Sequence, residues 1–133
     1  MLQRCQPPDF WQSVTGSLQP GETPLQAARR ELREETGLAI GLQDCGKTSE
    51  FPIHPAWRER YAPGVDTNRE HVFLAQCTRR PEILLNPQEH LACCWLPREQ
   101  AVQRASSYTN RDAILEFVPV PGPAGNGQGG TDE

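Results

Sequence analysis

Apolar side chains fall in short groups along this chain, and the spacing inside each group predicts an element. Residues 1–4 (MLQR) read as the end of a strand, followed by the turn-prone Gln6-Pro7-Pro8-Asp9. Phe10 to Val14 reads as a short extended segment, and Gly16 to Glu22 as a loop punctuated by Pro20-Gly21. A helix then starts with clear signals. Thr23 can cap it, Pro24 suits its first position, and Gln26 completes a T-x-x-Q capping box. The helix runs LQAARRELREET and stops at Gly37, a residue that takes the left-handed C-cap conformation without steric cost. Leu25, Ala28 and Leu32 recur at helical spacing and predict its buried stripe.

Strands are predicted at roughly 38–51, 71–78 and 91–96. The last two are apolar on both faces, as in strands inside a layered α/β domain. Pro97 to Arg104 predicts a short helix. Thr109 to Phe117 predicts another, with Thr109 as cap, Asp112 closing a capping box, and Ala113, Ile114 and Phe117 facing the core. Glu50 to Arg69 reads as a long loop, and loops of that length in small domains are often functional. From Pro119 to Glu133 the only sizeable apolar side chain is Val120, so this segment predicts a disordered tail behind a folded domain at 1–118.

Composition narrows the function classes. A chain of 133 residues with 36% hydrophobic and 23% charged residues fits one domain with a modest core. The net charge of −4 excludes a basic nucleic-acid footprint and a polybasic membrane patch. No apolar run approaches the length of a bilayer span, and MLQRCQPPDFW lacks the apolar region of a secretory signal. Five cysteines, none spaced as CxxC, read as reduced thiols in a cytoplasmic protein. No obligate protein partner is evident.

The chemistry concentrates in Gly16 to Leu38. Glu31 and Glu35 are four apart and share a helix face, with Glu34 beside them. Such crowded carboxylates suit a magnesium ion, although Arg29, Arg30 and Arg33 could equally neutralise a plain solvated face. The wider spacing decides. Gly16, Glu22, Arg30-Glu31-Leu32, Glu34-Glu35 and Gly37-Leu38 fit G-x5-E-x7-R-E-U-x-E-E-x-G-U, where U is a bulky aliphatic. Seven fixed identities coincide by chance about once in 10⁸ positions. By this signature the sequence resembles the Nudix hydrolases.

The resemblance implies an α/β Nudix fold, a mixed β-sheet sandwiched between helices, without the N-terminal strand usual before MLQR. It implies Mg²⁺, with Mn²⁺ as substitute, held by Glu31, Glu34, Glu35 and Glu89, and an Arg30–Glu22 ion pair that orients the carboxylates. The catalytic set is Glu34, Glu31, Glu89 and Arg30, with the general base open among the glutamates. His90, beside Glu89, reads as exposed or hydrogen-bonded rather than catalytic.

The flanks DFWQSVTGS (9–17), RYAPGV (60–65), EHLA-x-x-WL (89–96) and NR-x-AI-x-x-F (110–117) are similar to one branch, the dihydroneopterin triphosphate pyrophosphohydrolases of folate biosynthesis. That similarity implies a small-molecule triphosphate as substrate. It implies contacts from Arg4, Thr15, Phe51, Pro52, Ile53, His54 and Ser107, with Trp11 and Tyr61 as other ring neighbours. His54, Pro52 and Pro55 depart from the apolar character of the branch at this place. Competing expectations are a Nudix hydrolase of other nucleoside triphosphates or dinucleoside polyphosphates, and a non-catalytic nucleotide-binding domain.

Overall fold

The computed structural model describes residues 1–53, 55, 64 and 67–120. Strands β1 (Leu2–Arg4) and β2 (Trp11–Gln12) precede helix α1 (Pro24–Thr36). Strands β3 (Leu42–Pro52), β4 (Thr67–Ala75) and β5 (His90–Cys93) follow, then helices α2 (Arg98–Arg104) and α3 (Tyr108–Phe117). Among the described residues the strands form a three-stranded sheet, β2-β1-β5, and a two-stranded sheet, β3-β4, with every pairing antiparallel.

Helix α1 forms for local reasons. The Thr23 hydroxyl accepts from the Gln26 amide at 3.2 Å, and the Gln26 side chain accepts from the Thr23 amide at 3.0 Å. Gly37 ends the helix at φ 78°, its amide donating to Arg33 at 2.8 Å. The buried face is not the expected stripe. Ala27, Leu32, Glu35 and Thr36 are buried, whereas Leu25 and Ala28 are only half-buried. The packed face is rotated toward Glu35, because the helix buries this carboxylate as well as its apolar positions.

Three further expectations are corrected. The cap of α3 is Ser107, whose Oγ accepts from the Thr109 amide at 3.2 Å, so Thr109 lies buried inside the helix and Asp112 is exposed. The long loop is shorter at both ends, since Glu50, Phe51 and Pro52 pair with Arg69, Asn68 and Thr67 across β3 and β4. In β5, Leu91 is 55% exposed rather than internal. The β1–β5 register explains this: Gln3 faces Ala92 but Arg4 faces His90, so Leu91 is the extra residue of a bulge.

The main core joins α2 and α3 through Ala105, Ile114 and Val118, packed against Met1, Leu74, Ala101 and Val102. The N-terminal end of α3 is latched to β2. Ser106 exchanges two hydrogen bonds with Trp11, and Asn110 Oδ1 accepts from the Ser13 amide at 3.0 Å. The Arg104 guanidinium lies 4.8 Å from the Trp11 ring. No disulfide joins the five cysteines. No described helix is long and apolar enough to cross a membrane. Residues 121–133, most of the expected tail, lie outside the described residues.

Candidate active site

Arg30 organises the loop and the helix around itself. Its Nε and Nη2 hold Glu22 at 2.7 and 3.0 Å, and Nη2 also reaches the Ser17 carbonyl at 2.8 Å. Its Nη1 donates to Glu31 Oε1 at 2.6 Å and to Glu34 Oε2 at 3.2 Å. One planar fork therefore ties the 17–22 loop to two helix carboxylates, a task that needs the fixed geometry of a guanidinium. The bond to Arg30 holds Glu22 below the usual carboxylate range, helped by the Gln19 amide, and its counterpart raises Arg30.

Gly16 is the opening residue of the motif for a steric reason. A Cβ there would overlap Cγ, Cδ and Oε1 of Glu31. The backbone at Gly16 thus lies directly against the Glu31 carboxylate, an approach open only to glycine.

The three helix carboxylates differ in surroundings. Glu34 is about half-exposed and Glu31 largely covered. Glu35 is 1% exposed, and its Oε1 has no hydrogen-bond partner among the described residues. Burial pushes Glu35 well above the usual carboxylate range, reinforced by Glu31 and then by the charge of Glu89, while the Thr15 backbone amide opposes the shift. The sequence motif locates Glu35; the Thr15 backbone contact is an addition from the structure.

Glu89 reaches Glu35 from the turn before β5. It lies on an exposed turn whose Glu89 and His90 amides both donate to the Asn86 carbonyl at 3.0 Å. The Cys5 amide ties this turn to β1 through the Glu89 carbonyl at 2.9 Å. His90 is neither exposed nor hydrogen-bonded, contrary to expectation. It is 2% exposed, neither ring nitrogen has a hydrogen-bond partner among the described residues, and its Nε2 stands 3.7 Å from Glu35 Oε1. Burial lowers its pKa to about 4, with the Arg4 charge adding to the shift, so the ring is neutral.

The other expected contacts are placed unevenly. Arg4 faces His90 in the β1–β5 register, and its Nε donates to the Gln6 carbonyl at 3.2 Å. Thr15 is half-buried beside Glu35. Pro52 closes β3 and is exposed, while Ile53 is 3% exposed. Phe51 is the penultimate residue of β3. Ser107 spends its hydroxyl on the α3 cap, including a 2.7 Å contact with the Thr109 hydroxyl. His54 and Tyr61 lie outside the described residues. The sequence named His90 but not its burial beside Glu35, which depends on the β1–β5 register and leaves no local signal.

The donor set fits a hard divalent cation. Four carboxylates supply only oxygen, and a cation would let the buried Glu35, whose Oε1 has no hydrogen-bond partner among the described residues, take its charged form. Among the described residues no three such groups already stand together at ligand spacing, since Glu31 and Glu34 both lean on Arg30.

Comparison with known proteins places the chain in a family. The NUDIX domain model matches residues 1–117. The dihydroneopterin triphosphate diphosphatase of Escherichia coli K12 is 46% identical over 123 residues, covering 89% of this chain and 81% of that one. The protein of the same description from Haemophilus influenzae is 42% identical, covering 89% of this chain and 77% of its own. The solved structure of the E. coli dihydroneopterin triphosphate pyrophosphohydrolase superposes with a TM-score of 0.84, covering 89% of this chain and 83% of that one.

Proposed function

This chain belongs to the Nudix family, and from that premise we propose that it hydrolyses dihydroneopterin triphosphate to the monophosphate and pyrophosphate. The substrate reading is supported by the 46% identity to relatives described by that activity. The chemistry is supported by one observation above the rest: a buried carboxylate, Glu35, with an unpartnered oxygen between Glu31 and Glu89.

Glu31, Glu34, Glu35 and Glu89 would hold Mg²⁺, with Mn²⁺ as a substitute. When bound, the cation supplies charge neutralisation at the phosphate oxygens and a more acidic water. Each protein group has its own part. Arg30 tethers Glu31 and Glu34 to the loop, which limits how far their oxygens can move when the cation binds. The Thr15 backbone amide favours the charged form of Glu35. Arg4 offers a fork of donors to a phosphate oxygen from β1. Glu34 keeps enough exposure to take a proton from the attacking water, as does Glu89 on its turn. Phe51, Pro52, Ile53, His54 and Ser107 complete the substrate-binding set. Five cysteines without a disulfide support a reducing, cytoplasmic setting.

The test is pyrophosphate release with Mg²⁺, comparing dihydroneopterin triphosphate with the common nucleoside triphosphates and using Glu35→Gln as the blank. A clear preference in kcat/KM for the pterin substrate is expected. Equal or greater activity on nucleotides would move the assignment to another Nudix substrate class.

A further inference from the structure

The bulge in β5 turns one side chain outward and another inward. With an unbroken register, Leu91 would face Arg4; instead His90 does, and Leu91 is 55% exposed. Bulges commonly re-aim a side chain beside a functional site. Here the re-aimed ring is carried to α1, into the space beside Glu35.

Both partners are incomplete there. Glu35 Oε1 and both ring nitrogens of His90 are buried without hydrogen-bond partners among the described residues, yet Nε2 and Oε1 stand 3.7 Å apart. A hydrogen bond needs about 2.7–3.2 Å, so a displacement under an ångström would join them. Two adjacent unsatisfied groups are costly to maintain unless a second state satisfies them.

We infer that His90 is a positioning residue for Glu35: when a divalent cation occupies the carboxylate cluster, the His90 Nε2–H donates to Glu35 Oε1 and fixes which Glu35 oxygen faces the ion. This rests on the cation-site reading above. The ring would act through Glu35 and would touch neither cation nor substrate. Partners of this kind usually change metal affinity by about 10–100-fold.

The experiment is Mn²⁺ titration of the full chain by calorimetry, for wild type, His90→Phe and His90→Gln, with no substrate present. His90→Phe keeps a ring but removes the donor; His90→Gln restores one. The expected result is a Kd about 10–100-fold weaker for His90→Phe, largely recovered in His90→Gln. Wild-type affinity in a folded His90→Phe would overturn the inference alone. Absence of Mn²⁺ binding by the wild type would overturn the cation-site reading and this inference with it. A measurement on the wild type needs no variant to fold: with nitrogen-15-labelled histidine, the His90 Nε2–H resonance should move downfield on adding Mg²⁺. A His90 signal indifferent to Mg²⁺ at saturation would overturn the inference.

Discussion

Gly16→Ala separates the site from the fold more cleanly than any other single change. The added methyl would occupy the space of Glu31's Cγ, Cδ and Oε1. The backbone at Gly16 does not need a positive φ, so alanine adds no backbone strain, and the flexible Glu31 side chain is the part that yields. Yielding breaks its 2.6 Å bond to Arg30 Nη1. A charge-assisted hydrogen bond contributes about 1.5–3 kcal/mol, but Glu31 regains water when displaced, so the net loss is about 1 kcal/mol. For a domain of this size that lowers Tm by about 4 °C. Activity should fall far more if Glu31 serves the proposed site, because moving a catalytic group by an ångström costs about 100-fold. The assay is kcat/KM for pyrophosphate release beside a thermal melt. A second cycle makes the cause specific: in a Glu31→Ala background, Gly16→Ala should leave Mn²⁺ affinity and Tm almost unchanged. Wild-type kcat/KM in Gly16→Ala, or the same Tm loss in both backgrounds, would refute the steric argument.

Arg30→Lys should reduce kcat/KM by roughly 100-fold, since one ammonium cannot hold Glu22, Glu31, Glu34 and the Ser17 carbonyl together; near-normal kinetics would show that the fork geometry is dispensable. Without divalent cations, Glu35→Gln should raise stability by on the order of 1–2 kcal/mol, as it removes a buried acid pressed by Glu31 and Glu89. A lower melting temperature in EDTA would contradict that. Glu70, on β4, is raised mainly by burial, against a hydrogen bond from Thr109. Its folded pKa lies above its unfolded value, so its contribution is fully present at low pH and is lost as pH rises through the folded value. Glu70→Gln should therefore gain on the wild type from pH 4 to pH 8 in denaturant titrations, and a constant difference across that range would sink the assignment.

The parts of this molecule legible in the sequence are those fixed by neighbours in the chain. The α1 caps are set within a few residues of the ends, so Thr23, Gln26 and Gly37 could be read directly. The Glu31–Glu35 spacing follows from helix geometry alone. What could not be read depends on distant pairing. Ser107 rather than Thr109 caps α3 where Ser106 and Asn110 bind β2. The Leu91 bulge exists only in the β1–β5 register, and with it the inward turn of His90. Gly16 stands out in the motif, yet its reason, the pressure of its backbone on Glu31, needs the loop and helix in place.

These two kinds of information meet at Glu35 and divide its control. From α1 come Glu31, Glu34 and Glu35 on one rigid element, and Arg30 couples them to the preceding loop. From the sheet and the turn before β5 come Arg4, His90 and Glu89, linked in one register: Arg4 faces His90, and the Cys5 amide holds the Glu89 carbonyl. A substitution that shifts the β1–β5 register must therefore displace Arg4, Glu89 and His90 together, and with them the phosphate contact and the cation ligand proposed above. A substitution on the exposed face of α1 can alter one carboxylate at a time. Changes at β1 and β5 are thus expected to affect substrate KM and cation affinity jointly, whereas changes along α1 can separate them, because only the sheet carries both the Arg4 fork and the groups opposite Glu35.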